Sequence, residues 1–275
     1  TVIAYANDLR QLESFLLKNF QESNLTAASY HMIRSWIVSC VERGIQPRSV
    51  NRKIACLRSF YKFLLKQEVI SIDPTVRIPV LKTSKRLPSF IKESDMTSLL
   101  DGDGFENTFE GIRDRLILEM FYGTGLRLSE LIGLRNDSID TANRTVRVLG
   151  KRNKERVIPF TAALVPLVKE YIATRNRDVE KKDHGIFFVR ANGEPCYPVM
   201  IYKIVRKYLD KFPAMQKRSP HVLRHTYATH LLNNGAELNA VKDLLGHTSI
   251  AATQVYTHNT TEKLKKVFEQ AHPKA

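Results

Sequence analysis

Between Asp73 and Lys92 the sequence loses the apolar periodicity that it carries on either side. Pro74, Pro79 and Pro88 fix φ and remove backbone donors, and Arg77, Lys82, Lys85 and Arg86 are interspersed among them. A single core cannot run through such a stretch, so the chain is expected to divide in two. The expected parts are a helical unit over 1–78, a basic linker over 79–89 and a second unit over 90–275. A length of 275 residues suits two cores better than one.

The first unit reads as all helix. Tyr5, Leu9, Leu12, Phe15 and Leu16 recur at helical spacing up to a polar stretch from Asn19 to Asn24. A second helix runs from His31 to Arg43, with Met32, Ile33, Trp36, Ile37 and Cys40, and stops at Gly44. A third, from Arg48 to Lys66, aligns Ile54, Leu57, Tyr61, Leu64 and Leu65 in one apolar stripe. Off that stripe lie Arg48, Arg52, Lys53, Arg58, Lys62 and Lys66, with no acidic residue between them. Arg58, Lys62 and Lys66 stack at i,i+4. Like charges so spaced repel, and a solvated face normally mixes signs. A single-sign row points to a surface that tracks phosphates, with Arg48, Arg52, Arg58, Lys62 and Lys66 as DNA-binding candidates. The alternative is an idle basic face.

Charge supports a polyanionic partner. There are 43 Lys and Arg against 28 Asp and Glu, a formal net charge of +15, and such a field attracts nucleic acid first of all. No apolar run approaches the ~18 to 20 residues of a membrane span. Cys40, Cys56 and Cys196 are isolated, without metal or redox spacing, and are expected to be packed thiols. The chain opens Thr1-Val2-Ile3, without Met or a signal-peptide pattern, which reads as a cytosolic protein that has lost a short leader.

After the interruption the pattern is mainly helical with one β element. Thr145 to Leu149 alternates, Gly150-Lys151-Arg152-Asn153-Lys154 turns, and Glu155 to Pro159 returns, which predicts a hairpin. Pro220 opens a helix, with Ser219 as its N-cap. Four segments here concentrate chemistry. Gly123-Thr124-Gly125-Leu126-Arg127 breaks an apolar helix, and Arg127 opens the next one. Pro220-His221-Val222-Leu223-Arg224-His225 sets His221 and Arg224 on one helical face. Leu244-Leu245-Gly246-His247 and Gln254-Val255-Tyr256-Thr257-His258 follow. His221 and His225 have zinc spacing, but the position after His221 is Val222, where the thermolysin-type motif requires Glu. No metal site is expected.

Metal-free phosphodiester exchange needs this set. Two guanidiniums can neutralise the non-bridging oxygens of the transition state at any pH. A tyrosine phenol leaves a covalent phosphoester that can be attacked in turn. A histidine can take the phenol proton, and a lysine can protonate the departing 5′-oxygen. Arg127, Arg224, His221, His247, Tyr256 and the hairpin Lys151 supply them. Lys154 and Arg152 rival Lys151 on chemical grounds.

Taken in order, G-T-G-L-R-x-S-E-L, G-K-x-N-K-E-R, P-H-V-L-R-H-T-Y-A-T-H-L-L, L-L-G-H and Y-T-H resemble the tyrosine recombinase (phage integrase) superfamily across essentially the whole chain. The similarity is greatest to the Xer-type group and extends to its tail, His272-Pro273-Lys274-Ala275. The resemblance implies a mainly α, two-domain clamp around duplex DNA, with a helical core-binding domain and a mixed α/β catalytic domain. It assigns Arg127 and Arg224 to the scissile phosphate, His221 to general base, His247 to a further phosphate contact, Lys151 to general acid and Tyr256 to nucleophile, with Glu130 orienting the Arg127 region. His225, His230 and His258 are taken as structural or neighbouring residues. It also implies four protomers, of one or two kinds, on two double-stranded DNA recombination sites, exchange through a Holliday junction, no cofactor, and work in the bacterial cytoplasm with the nucleoid.

A type IB topoisomerase, or a DNA-binding protein with an inactive catalytic domain, remains an alternative. So do dimer resolution, mobile-element integration and inversion as the biological task. The last segment, Thr261 to Ala271, places Leu264, Val267, Phe268 and Ala271 on one face. That stripe either packs on its own catalytic domain or, as the resemblance implies, docks on a neighbouring protomer.

Overall fold

The computed structural model describes residues 2–83, 90–150, 155–212, 215, 217–246 and 258–274, with side chains left out at 258–263. The chain divides into two compact units, Thr1–Arg86 and Leu87–Ala275.

The first unit packs three helices, α1 (Val2–Phe20), α2 (Tyr30–Glu42) and α3 (Pro47–Lys66), around Leu12, Leu16, Ile33, Trp36, Val50, Ile54, Leu57 and Tyr61. Ser29 caps α2 through the Met32 N–H, and Pro47 at the start of α3 gives up a donor that no helix could use. The expected linker begins close to this core: Asn51 and the Leu81 backbone exchange hydrogen bonds of 2.9 and 2.8 Å, and Ile78 is buried.

Two residues of α3 depart from the periodic reading. Leu65, expected in the apolar stripe, stands exposed, because the packed face turns through Tyr61 and Leu64. Lys53, expected among the exposed cations, is only 4% exposed. Its Nζ lies 2.9 Å from the buried Asp8 carboxylate and 5.4 Å from the Trp36 ring centroid. Asp8 also accepts two hydrogen bonds from the Arg52 guanidinium, so one carboxylate of α1 clips two cations of α3. Asp8→Ala would leave Lys53 buried without its counter-charge, at a cost of about 3 to 5 kcal/mol. Urea unfolding of the whole chain checks this. A loss below about 1 kcal/mol would mean that Lys53 can reach water.

The second unit is built around α5 (Phe109–Thr124), which is buried on nearly every side. Around it lie α4 (Glu93–Asp101), α6 (Leu128–Ile132), α7 (Leu164–Asp178), α8 (Pro198–Leu209), α9 (Pro220–Asn233), α10 (Leu238–Leu245) and α11 (His258–Ala271). The predicted hairpin is present as β2 (Thr145–Leu149) and β3 (Glu155–Pro159), antiparallel with Arg147 opposite Val157. A short strand that was not anticipated, β1 (Ile139–Asp140), adds to β2 and makes a three-stranded sheet. Alternation along β2 and β3 turns Val146, Val148 and Ile158 into the core. α9 starts at Pro220 as expected, but the Ser219 side chain makes no cap bond.

The apolar stripe of α11 is seated on its own unit. Leu264, Phe268 and Ala271 are buried, Asn234 Nδ2 donates to the Ala271 carbonyl at 3.0 Å, and Arg144 pairs with Glu269 at 2.9 Å. Beyond the helix, Lys274 meets Asp101 and Glu119 at 2.8 and 3.0 Å. His272 is enclosed by Phe268, Tyr227 and Tyr122, and burial pushes its imidazole down to about 4. Among the described residues no helix is long and apolar enough to cross a membrane, and no group of three or more His, Cys, Asp and Glu could hold a metal ion.

Candidate active site

The site is assembled where two helices end. α5 terminates at Gly125, in the left-handed region at φ 62°, with its N–H bonded to the Phe121 carbonyl. α10 terminates in the same way at Gly246, φ 61°. Glycine adopts this backbone without strain. A Cβ at Gly125 would also stand 2.5 Å from the Tyr227 ring, and one at Gly246 would stand 3.1 Å from Arg156. Both ends leave backbone carbonyls that the helix cannot satisfy, carrying the negative end of the helix dipole.

Arginines fill that demand. Arg224, in the first half of α9 and 8% exposed, donates to the carbonyls of Gly125 and Leu245, the latter at 2.6 Å. Arg127, at the N-cap of α6, donates to the Gly246 carbonyl at 3.1 Å. Arg156 on β3 donates to the Leu244 carbonyl at 3.3 Å. Three guanidiniums therefore crowd one spot. Burial, reinforced by repulsion from Arg127, lowers Arg224 to about 10, which still leaves it charged at neutral pH.

One acidic side chain, Glu130, holds the cluster together. Its carboxylate takes a two-pronged contact from Arg156 at 2.8 and 2.9 Å, the Arg127 guanidinium at 2.7 Å and the Arg127 backbone N–H at 2.8 Å. Burial alone would raise this carboxyl, but these hydrogen bonds, those from Arg156 foremost, hold it at about 2. Three cations against one anion leave a surplus of positive charge. The Arg127 side chain is 27% exposed, so part of that charge faces solvent.

His221 lies in the first turn of α9, exposed, on the same helix as Arg224. The structure thus brings Arg127 and Arg224 together and sets His221 on the helix that carries Arg224. Lys151, His247 and Tyr256 lie outside the described residues, as do the rivals Arg152 and Lys154. In the chain Lys151 falls between β2 and β3, His247 directly follows Gly246, and Tyr256 precedes α11. His225 is half-buried and lowered by burial. His230 is buried, with its ring nitrogens at 2.9 Å from the Tyr122 hydroxyl and from the Ile91 carbonyl. Of the basic candidates on α3, Arg48, Arg52, Arg58, Lys62 and Lys66 are all exposed, although Arg52 is shared with Asp8 and Arg58 donates to the Ile78 carbonyl at 2.7 Å.

Comparison with known proteins supports the same chemistry. The model of the phage integrase family matches residues 89–263, and that of the phage integrase N-terminal SAM-like domain matches residues 1–68. The chain belongs to the phage integrase family, the tyrosine recombinases. It is 37% identical to a protein named tyrosine recombinase XerC of Listeria welshimeri, over the whole of this chain and 92% of that one. The corresponding figure is 35% for a XerC of Chlorobaculum parvum, over the whole chain and 89% of the relative. For a XerD of Halalkalibacterium halodurans it is 34%, over the whole chain and 92% of the relative. Among solved structures, XerH recombinase in a post-cleavage complex with difH substrate aligns with TM-score 0.75 at 22% identity, covering 96% of this chain and 78% of that one. The Tn1549 transposon integrase with circular-intermediate DNA aligns with TM-score 0.69 at 20% identity, covering 94% and 97%. At such identities these two likenesses report the fold.

Arg156 had no assigned role in the sequence reading. A signal for it exists: it alternates with Ile158, an inward position of the hairpin, and an arginine in that register must be buried and paired.

Proposed function

We propose that this chain is a site-specific DNA recombinase of Xer type that cuts and rejoins duplex DNA through a 3′-phosphotyrosyl intermediate at Tyr256. The observation that carries the reading is the convergence of Arg127 and Arg224 at two helix ends, held by backbone carbonyls and Glu130 with positive charge to spare. Such a pair suits a phosphate whose negative charge grows in the transition state.

In the proposed reaction the Tyr256 phenol oxygen attacks phosphorus and its proton passes to His221. The bond from phosphorus to the 5′-oxygen breaks, and that oxygen takes a proton from Lys151. Arg127, Arg224 and His247 hold the phosphate. Attack by a partner strand's 5′-hydroxyl reverses these steps. Each ester is exchanged for one of similar energy, so no external energy source is required. We assign the assembly to four protomers on two sites, and its work to the bacterial cytoplasm with the nucleoid.

The test is recovery and sequencing of DNA covalently bound to the purified protein. One recurring duplex sequence is the expected result. Adducts of random sequence, with relaxation of plasmids that lack any site, would instead indicate a topoisomerase.

The exposed row on α3 supplies a second test. Site binding should weaken steeply with salt, and replacing Arg58, Lys62 and Lys66 together by Ala should flatten the slope of log K against log salt by about 0.9 for each phosphate no longer neutralised. An unchanged slope would make the row an idle solvated face.

A further inference from the structure

We propose that Arg156 is a positioning residue for DNA cleavage: by sharing Glu130 it leaves the Arg127 guanidinium free to face the phosphate. This rests on the recombinase reading above. The Glu130 carboxylate has about four acceptor directions, and all are taken. Oε1 accepts from Arg127 and Arg156, and Oε2 accepts from the Arg127 backbone N–H and Arg156. Half of the carboxylate is therefore committed to Arg156, which is 6% exposed. Without Arg156 the whole negative charge would fall to Arg127, pairing it off and pulling it from its station under the Gly246 carbonyl.

Arg156 also joins three parts of the site that are remote in sequence. It stands on β3, which follows Lys151 in the chain, it grips Glu130 one helical turn from Arg127, and it reaches the Leu244 carbonyl just before Gly246 and His247 in the chain. Gly246 leaves room for this: any side chain there would press on the Arg156 Cδ and Nε at 3.1 Å. A lysine keeps the charge but not the planar fork that engages both carboxylate oxygens and a carbonyl together.

The experiment is single-turnover covalent adduct formation on a nicked suicide substrate at saturating protein, with site affinity and thermal unfolding measured on the same preparations. Arg156→Lys is expected to slow adduct formation by about 10²-fold, the scale of a misplaced reacting group, with little change in site affinity. Glu130→Gln should slow the wild type. In an Arg156→Met background it should cost nothing further or recover some rate, because the carboxylate that neutralises Arg127 is then gone. Wild-type rate in Arg156→Lys overturns the proposal. So does a loss that merely follows the unfolded fraction, or additive effects of Glu130→Gln and Arg156→Met. The wild type is the control: if it forms no adduct on any duplex, the recombinase reading itself fails, whereas an active wild type beside an equally active Arg156→Lys removes only the role of Arg156.

Discussion

Tyr256→Phe is expected to bind recombination-site DNA like the wild type and to form no covalent adduct. The substitution removes a single oxygen and preserves the ring, so binding through the basic surface and the arginine pair has no reason to change. Chemistry does. A phenol of pKa near 10 becomes a competent nucleophile once its proton has a base to go to and its phosphate is clamped, and phenylalanine has no atom that can bond to phosphorus. The checks are a denaturing gel with a nicked suicide substrate, which traps the protein on DNA by releasing the short 5′-hydroxyl strand, and a native gel for binding. A normal yield of adduct from the Phe variant would mean that another side chain attacks, and the mechanism would fall.

Lys151→Ala is expected to slow cleavage by about 10² to 10⁴, the range for loss of a positioned acid. The alkoxide that leaves when the phosphorus–5′-oxygen bond breaks is a strong base and needs a proton during departure. A substrate with sulfur at the 5′-bridging position leaves as a thiolate, stable near neutral pH without that proton. It should restore the rate of Lys151→Ala and leave the Tyr256→Phe defect untouched, which separates the acid from the nucleophile. Rescue of Lys154→Ala but not of Lys151→Ala would move the acid from Lys151 to Lys154.

The fold class was legible from local signals. Strand alternation located both arms of the hairpin, because β2 and β3 bury one face each and the period of two survives in Val146, Val148 and Ile158. Helix periodicity located α2 and α3 to within a residue at each end, with Gly44 as the stop after α2, and marked the apolar face and the end of α1. The family followed from the ordered motifs, and Arg127 and Arg224 were singled out because guanidiniums at those motif positions suit a phosphate.

Periodicity could not decide charge. It set Lys53 and Arg58 on the same polar side of α3, yet Lys53 is enclosed because Asp8 of another helix meets it, while Arg58 stays exposed. It put Leu65 in the stripe, although the buried face of the helix ends at Leu64. It left two placements for the α11 stripe, and in this structure the stripe is buried on its own unit.

The sequence alone therefore determined the family and the order along the chain of the candidate side chains for phosphoryl transfer. Tertiary structure decided how the arginines are held: Arg224 by Gly125 and Leu245, Arg127 by Gly246, and Arg156 by Glu130 and Leu244. Those partners are, Glu130 aside, backbone carbonyls at helix ends far away in sequence. Every residue has the same carbonyl, so no residue type marks which one will be left unpaired. Only the meeting of the two helix ends in space makes them ligands for a guanidinium.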